Sequence, residues 1–182
     1  MEILETNLPG CYELQPKVFR DGRGTFVKTF HEEVFNKYQL NTNFAEEYYS
    51  LSHQNVFRGL HFQLPPKEHT KMVYCVEGEV IDTLVDLRVG SPTYGKYETL
   101  SLSAEKANVI YIPPGFAHGF FVLSETAIMM YKVSTVYSPE QDTGIHWNSV
   151  GIVWPSSNPI VSKRDNEFVA LSDFKSPFVY ST

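Results

Sequence analysis

Short runs of aromatic and β-branched residues, interrupted by proline and glycine, dominate this chain. Phe, Trp and Tyr make up 14% of its 182 residues, and these residue types favour β-strands. Turn signals such as Asp21-Gly22-Arg23-Gly24, Leu64-Pro65-Pro66 and Pro113-Pro114-Gly115 separate the runs. The pattern predicts strands over residues 11–19, 24–30, 43–52, 56–63, 70–77, 79–86, 97–102, 107–112, 119–123 and 127–137.

Helical periodicity is confined to residues 31–38, where Phe35 and Tyr38 can share a face. So many strands with so little helix predict an all-β sandwich or jelly-roll barrel. The length suits one domain with a proper core, and no repeat or linker divides it, so we expect residues 1–182 to form a single domain. The segment after Trp154, rich in Pro, Ser and Asn, is expected to wrap the barrel surface and can still supply a catalytic side chain.

Charge and cysteine content narrow the functional class. A formal net charge of −6 offers no broad basic field for nucleic acid. The two cysteines, Cys11 and Cys75, form no CxxC pair, which argues against a zinc knuckle or redox motif, and Cys75 is expected to be a buried thiol. No apolar run approaches the roughly 18 to 20 residues of a membrane span, and no secretory signal is visible. We expect a cytoplasmic protein that binds neither nucleic acid nor membrane.

The stretch Arg58-Gly59-Leu60-His61-Phe62-Gln63 places a histidine in an apolar strand. In a regular strand Arg58, Leu60 and Phe62 face one way, and His61 and Gln63 face the other. An isolated histidine in such a strand is more often structural than catalytic. The polar side chains nearby make a functional role more credible.

Three more polar residues enter apolar strands. Lys71 is costly to bury unless its ammonium group reaches water or an anion. Asp82 and Asp86 share one face of their strand, and both carboxylates need partners. For Asp86 we favour an ion pair with Arg88 or a turn-capping role.

A second histidine and two tyrosines extend the set. His118 follows the rigid Pro113-Pro114-Gly115 corner, and a structural hydrogen bond is about as plausible for it as catalysis. Tyr131 and Tyr137 are six residues apart and share a strand face if the strand is regular. One phenol can give up a proton while the other stacks on a flat ring.

Metal ligands are few. No His-x-His pair occurs, because the position two after His61 is Gln63. His61, Glu77 and His118 form at most an incomplete facial set. We therefore expect no catalytic metal.

Seven motifs follow one another along nearly the whole chain. They are Phe19-Arg20-Asp21-Gly22-Arg23-Gly24, Asn55-Val56-Phe57-Arg58-Gly59-Leu60-His61-Phe62-Gln63, Gly78-Glu79-Val80-Ile81-Asp82, Val85-Asp86-Leu87-Arg88, Ser91-Pro92-Thr93-Tyr94-Gly95, Ile112-Pro113-Pro114-Gly115-Phe116-Ala117-His118-Gly119-Phe120 and Gly151-Ile152-Val153-Trp154-Pro155. Together they resemble the dTDP-4-dehydrorhamnose 3,5-epimerases of the cupin superfamily. The resemblance implies a double-stranded β-helix (cupin) jelly-roll barrel with one or two short helices, a homodimer in which strands or arms cross between subunits, and no metal or other cofactor.

The resemblance also implies roles for individual residues. His61 matches the general base, Asp165 its orienting partner, Tyr131 the acid on the opposite sugar face, and Lys71 the cation beside the sugar ketone. The substrate-binding positions are Arg23 and Arg58 on the diphosphate (Arg23 from the other subunit), Tyr137 on the base, and Phe26, Lys28, Glu46, Tyr48, Ser50, Gln63 and His118.

The implied reaction inverts C3 and C5 of a nucleotide-linked 4-keto-6-deoxyhexose, in the first instance dTDP-4-dehydro-6-deoxy-D-glucose to dTDP-4-dehydro-L-rhamnose for polysaccharide synthesis. Two departures bear on the substrate. Lys28 stands where the family usually carries Glu, and Glu46-Glu47-Tyr48 stands where it usually reads Gln-x-Asn. The alternatives are a mono-epimerase acting on C3 or C5 of another nucleotide sugar, a metal-dependent cupin enzyme, or a sugar-nucleotide binding protein without turnover.

Overall fold

Antiparallel strands account for most of the regular structure. The computed structural model describes residues 1–181. In chain order the elements of this part are β1 (Glu2–Glu5), β2 (Tyr12–Gln15), β3 (Val18–Asp21), β4 (Gly24–Val27), α1 (Glu32–Lys37), β5 (Glu46–His53), β6 (Phe57–Gln63), β7 (Lys71–Glu77), β8 (Glu79–Asp86), β9 (Tyr97–Ser103), β10 (Val109–Ile112), β11 (Phe116–Val122), β12 (Thr126–Val133), β13 (Asp142–Gly144), α2 (Lys163–Asn166) and a 3₁₀ turn over Leu171–Asp173.

Two large sheets and one hairpin contain these strands. The six-stranded sheet has the order β1-β2-β10-β7-β12-β5, and the five-stranded sheet has the order β13-β6-β11-β8-β9. Strands β3 and β4 form a separate hairpin. Strands that follow one another in sequence often lie in different sheets, as in a jelly roll. The all-β prediction is confirmed.

The main core lies between the two large sheets. It joins Val73 of β7 and Met129 of β12 to Leu84 of β8 and Phe120 of β11, all at most 1% exposed. Burial of each such side chain stabilises the fold by about 1.5–3 kcal/mol. Along β12 buried and less buried residues alternate at every position, as a strand with one core face requires.

The chain after Trp154 packs on the outer face of the five-stranded sheet, as expected. Phe178 joins a buried cluster with Phe57 and Phe62 of β6. Bridges between Val56 and Ile160 and between Val89 and Val179 fasten the segment to the barrel. The segment includes α2, which packs against β6 and which the sequence pattern did not predict.

Helix α1 confirms the predicted helix within one residue at each end, because His31 and Tyr38 are its caps. Glu32 in the first turn and Lys37 in the last favour the helix dipole. Phe35 is fully buried, whereas Tyr38 is 46% exposed, so the expected shared apolar face is reduced to Phe35. Within the described chain, no helix has the length and hydropathy needed to cross a membrane.

Two of the predicted strands need correction. The run 11–19 is split into β2 and β3, since Pro16 lacks the N–H that a continuous strand requires. The run 127–137 ends at Val133, so Tyr137 lies in the following loop rather than on the strand face that carries Tyr131. Strands β1 and β13 were not predicted, and the remaining strands differ from the prediction only at their ends.

Candidate active site

A cavity of about 380 Å³ lies between strands of the two large sheets. This volume is within the range of small-molecule sites. Its lining comes from β5, β6, β7, β11 and β12, from the loops after β6 and β12, and from β13 and α2. The lining residues are Glu46, Tyr48, Ser50, Arg58, His61, Gln63, His69, Lys71, His118, Phe120, Tyr131, Val133, Tyr137, Asp142 and Arg164.

A bulge in β6 decides which of its side chains reach this cavity. His61 pairs with His118 of β11, but the next pair is Arg58 with Phe120, so two residues of β6 stand opposite one of β11. Arg58 therefore joins His61 at the cavity, and the expected alternation, with Arg58 facing away from His61, is wrong.

The bulge depends on two glycines. Gly59 has φ +145°, and a Cβ there would lie 2.6 Å from the Cα of Gly119. Real Cβ atoms essentially never approach another carbon so closely, and this backbone conformation is open to glycine alone. The Arg58 guanidinium is then held by Ser52, whose Oγ accepts from Nε at 2.9 Å.

His61 forms a dyad with Asp165 from α2. Nε2 of His61 lies 2.8 Å from Oδ1 of Asp165, and Asp165 is 3% exposed. Burial lowers the pKa of His61 and outweighs the opposite effect of the Asp165 carboxylate. Burial alone would raise the pKa of Asp165, but hydrogen bonds from His61 and from the Gly59 amide lower it. At neutral pH the pair is a neutral imidazole beside a carboxylate, which suits a general base.

Lys71 brings a buried cation to the same place. It is 7% exposed, and its Nζ donates a hydrogen bond to the His61 carbonyl at 3.1 Å. Burial lowers the pKa of Lys71 to about 8, against the raising effect of Asp142 and Asp82. The side chain is therefore mostly an ammonium ion at pH 7 and can stabilise negative charge on a bound oxygen.

Tyr131 reaches the cavity from the six-stranded sheet, opposite the sheet that carries His61. Its hydroxyl lies 3.1 Å from Ser50 Oγ, and its ring is stacked on Tyr48 with centroids 4.8 Å apart. Burial raises the pKa of Tyr131 above its ordinary value, so the phenol stays protonated at neutral pH. A protonated phenol can act as a general acid.

His118 forms a second dyad. Its Nε2 lies 2.7 Å from Oδ2 of Asp82, and both side chains are almost fully buried. The His118 ring meets Tyr131 edge-on, with centroids 6.4 Å apart. Asp82 thus has the partner that its burial demanded, and Asp86 pairs with Arg88 as favoured from the sequence.

The loop after β12 forms the outer wall. Tyr137 is 55% exposed, and its amide donates to Oε2 of Glu46 at 2.8 Å. The next amide, that of Ser138, donates to Oε1 of Gln63 at 2.7 Å. Tyr137 therefore presents an exposed aromatic ring on a backbone fixed at two consecutive amides.

Three predicted site residues lie apart from both the cavity lining and the His61–Asp165 dyad in the described chain, namely Arg23, Phe26 and Lys28. Arg23 and Phe26 lie on the β3–β4 hairpin, and Lys28 directly follows it. All three are exposed, and Arg23 pairs with Asp21 at 2.6 Å.

The metal-ligand set considered from the sequence is not assembled. Glu77 lies outside the group of described residues that line the cavity with His61 and His118. Across residues 1–181, no cluster of three or more His, Cys, Asp or Glu side chains is arranged to hold a metal ion.

Comparison with known proteins identifies the family of this chain. The model of the family described as dTDP-4-dehydrorhamnose 3,5-epimerase matches residues 5–173. The chain belongs to this family. A dTDP-4-dehydrorhamnose 3,5-epimerase from Shigella flexneri is 44% identical over 168 residues, which cover 91% of this chain and 93% of the relative. The epimerase from Methanothermobacter thermautotrophicus is 39% identical over 94% of this chain and 95% of its own length.

Solved structures of dTDP-4-dehydrorhamnose 3,5-epimerases share the whole fold. The dTDP-6-deoxy-D-glucose-3,5-epimerase from Legionella pneumophila, crystallised with dTDP-4-keto-L-rhamnose, has a TM-score of 0.94 and 33% identity, covering 100% of this chain and 99% of its own. The prediction of a cupin-type jelly roll is thereby confirmed.

Three polar residues of this epimerase-family cavity were missed from the sequence. His69 lies in the loop after β6, Asp142 in the unpredicted strand β13, and Arg164 in the unpredicted helix α2. Arg164 pairs with Asp142 and lies beside Asp165. Its position directly before Asp165 in the sequence was the available signal.

Proposed function

We propose that this chain is an isomerase that inverts C3 and C5 of a nucleotide-linked 4-keto-6-deoxyhexose, converting dTDP-4-dehydro-6-deoxy-D-glucose to dTDP-4-dehydro-L-rhamnose. The observation that carries the proposal is the arrangement of His61 on β6 and Tyr131 on β12, which enter one cavity from different sheets beside the buried cation Lys71. Membership of the epimerase family supports the same reaction.

The chemistry follows from these three groups. His61 takes the proton from C3 or C5, and the electron pair of the C–H bond moves toward the C4 ketone, whose oxygen becomes an enolate. Lys71 stabilises that oxygen, an effect of about 3–4 kcal/mol when one such donor is removed. Tyr131 then delivers a proton to the opposite face of the carbon. The protonated imidazole and the phenolate return to their starting states by proton exchange with solvent.

The rest of the cavity suits the nucleotide diphosphate. Arg58 and Arg164 supply positive charge for the phosphates, and the exposed ring of Tyr137 supplies a face for the base. Glu46, Tyr48, Ser50, Gln63 and His118 complete the substrate-binding set within the cavity.

The β3–β4 hairpin is assigned to the site of a second subunit. Phe19 and Phe26 are 50% and 62% exposed, and Arg23, which pairs with Asp21, lies outside the cavity lining of its own chain. In a homodimer of these single-domain subunits, Arg23, Phe26 and Lys28 reach the partner's diphosphate and base. We also propose a cytoplasmic location for the protein, because its proposed substrate is a sugar nucleotide.

The central test is proton NMR of turnover in deuterated water. The wild-type enzyme should place solvent deuterium at both C3 and C5 of dTDP-4-dehydro-6-deoxy-D-glucose and yield the L-rhamno product. The His61→Ala variant should lose both exchanges, whereas His53→Ala, which changes an exposed histidine at the end of β5, should keep them. Exchange at one carbon alone would make the protein a mono-epimerase, and tight dTDP binding without exchange would make it a binding protein.

Subunit mixing tests the hairpin assignment. Arg23→Ala and His61→Ala should each be inactive alone. Co-expressed together, they should recover roughly a quarter of wild-type activity, because half of the dimers are mixed and each mixed dimer has one intact site. No recovery would mean that Arg23 serves the cavity of its own chain, and an active Arg23→Ala variant would mean that it serves neither.

A further inference from the structure

Tyr48 and Tyr131 form a stacked pair at the wall of the cavity. They are direct partners across the β5–β12 pairing. Their rings are nearly parallel, at 17°, with centroids 4.8 Å apart. Both rings line the cavity, and Tyr48 covers the face of Tyr131 that is turned toward the sheet edge.

Tyr131 is held from three directions. Tyr48 covers one ring face, the edge contact with His118 restricts the ring from another side, and the Ser50 hydroxyl holds the phenol oxygen at 3.1 Å. Tyr48 and Ser50 both lie on β5, which pairs only with β12 in the described sheet and is therefore an edge strand. Of these two contacts, Tyr48 is the one that covers a ring face. Without that ring, the edge side of Tyr131 opens toward solvent.

We propose that Tyr48 is a positioning residue, whose ring holds the Tyr131 phenol in line with the sugar carbon that it protonates. The proposal rests on the proposed function, in which Tyr131 is the acid. The Tyr48 ring makes the contact with Tyr131. The positioning of the Tyr131 phenol therefore depends on the aromatic ring of Tyr48 rather than on its hydroxyl. A displacement of about 1 Å at a reacting group can cost roughly a hundredfold in rate.

Loss of this positioning has a consequence that loss of folding or of substrate binding does not share. His61 and Lys71 can still form the enolate when Tyr131 is displaced. The enolate is then reprotonated from the His61 side, which exchanges the carbon-bound hydrogen with solvent but leaves the configuration unchanged. The ratio of exchange to inversion therefore reports the position of Tyr131.

The experiment measures both rates in one NMR time course in deuterated water, with dTDP-4-dehydro-6-deoxy-D-glucose and the full-length variants Tyr48→Phe and Tyr48→Leu. Tyr49→Leu is the matched control, because Tyr49 is the next residue of β5, is 69% exposed and lies outside the described cavity lining. Wild-type exchange at C3 and C5 checks the proposed function separately.

We expect Tyr48→Leu to lower kcat for inversion by roughly ten- to a hundredfold, with exchange at saturating substrate changed less than about threefold. Tyr48→Phe keeps the stacked ring and should match the wild type in the exchange-to-inversion ratio, as should Tyr49→Leu. The proposal is overturned if Tyr48→Leu keeps the wild-type ratio, including when both rates fall together. It is also overturned if Tyr48→Phe raises the ratio as much as Tyr48→Leu does, because the hydroxyl would then be the effective group.

Discussion

The Asp165 carboxylate lies 2.8 Å from Nε2 of His61, although the two residues are 104 positions apart in the chain. Helix α2 carries Asp165 to this place and packs against β6, and the Ser162 hydroxyl caps it by accepting from the Asp165 amide. A carboxylate accepts a hydrogen bond from Nε2–H, which leaves Nδ1 as the unprotonated nitrogen of the neutral ring. The contact therefore selects the tautomer of the proposed base.

Replacement of Asp165 by Asn should slow the enzyme and shift its pH profile. An amide can hold the wrong imidazole tautomer, so we expect kcat to fall by about 10²–10⁴. The Asp165 carboxylate raises the pKa of His61; without it, that pKa falls further, and the acid limb of kcat/KM moves to lower pH. Rates measured by NMR from about pH 4 to about pH 10 check this. Asp173→Asn, in an exposed turn, should leave both quantities unchanged, and an unmoved acid limb in Asp165→Asn would contradict the assignment.

The basic limb of the same profile should report Lys71. Its pKa is about 8 because of burial, so kcat/KM should decline as the ammonium group loses its proton near pH 8. Tyr48 and Tyr131 have pKa values raised by burial, that of Tyr48 to about 12, and do not titrate there. Lys71→Met should lower exchange at both carbons by about 10²–10³.

Lys71→Arg separates the charge from the geometry. A guanidinium keeps its proton to pH 12 and above, so the remaining activity of this variant should show no decline near pH 8. Lys132 lies on β12 and pairs with Glu47. The Lys132→Arg variant should therefore retain the wild-type pH profile of kcat/KM. A decline near pH 8 that persists in Lys71→Arg would assign the basic limb to another group.

Strand periodicity could predict the sheets, since residues that alternate between core and solvent are visible in the sequence. It could not predict β6 correctly, because the bulge at Gly59 adds one residue and reverses the side of Arg58 relative to His61. Nor could it predict α2, whose four residues are too few to show a helical period.

The prediction of the site residues depended on the family resemblance more than on local sequence patterns. No short-range feature links Asp165 to His61, because their contact is made by a wrapped segment with little regular structure. Tyr137 reaches the same cavity as Tyr131 from a loop rather than from a shared strand face. The burial of Lys71 and Asp82, in contrast, was foreseeable, since charged residues in apolar strands need partners.

Substitution of Gln63 by Leu should weaken nucleotide binding more than catalysis. The buried Gln63 amide accepts from Ser138 N at 2.7 Å and donates to Lys67 O at 2.7 Å, so it ties the loop that carries Tyr137 to the loop after β6. Loss of such a partly buried hydrogen bond costs about 0.5–1.5 kcal/mol. If about 1.4 kcal/mol of this appears in binding, the Kd for dTDP rises about tenfold.

The measurement for Gln63→Leu is calorimetric titration with dTDP, together with KM and kcat. We expect KM to rise with Kd while kcat stays within about threefold, the pattern of lost ground-state and transition-state binding. Gln54→Leu, at an exposed glutamine that bonds the Leu123 carbonyl, is the control. A fall in kcat with unchanged Kd would show that Gln63 acts on the reacting groups instead.

Asp86→Ala should destabilise the fold and spare the chemistry. The fully buried Asp86 carboxylate accepts from Arg88 at 2.8 Å, Ser91 at 2.6 Å and Thr93 at 2.7 Å, and the Arg88 guanidinium lies between the rings of Phe116 and Tyr180. Removal of one partner of a buried ion pair costs about 3–5 kcal/mol, which corresponds to a fall in Tm on the order of 10 °C for a chain of this length.

The pH dependence of the unfolding temperature tests whether the Asp86 carboxylate is the group that stabilises the fold. Burial alone would raise the pKa of Asp86, but hydrogen bonds from Arg88, Ser91 and Thr93 lower it. Its contribution is therefore fully present above the unfolded value of about 3.9 and is lost as pH falls through the lower folded value. The difference in Tm between the wild type and Asp86→Ala should thus begin to narrow as the pH falls below about 4. Asp21→Ala on the exposed hairpin should change Tm little at neutral pH. Asp86 lies outside the cavity lining of residues 1–181. The folded Asp86→Ala variant should therefore keep kcat within about twofold of wild type at 25 °C, a temperature well below its Tm. A large loss of kcat at this temperature would show that the ion pair also shapes the active site.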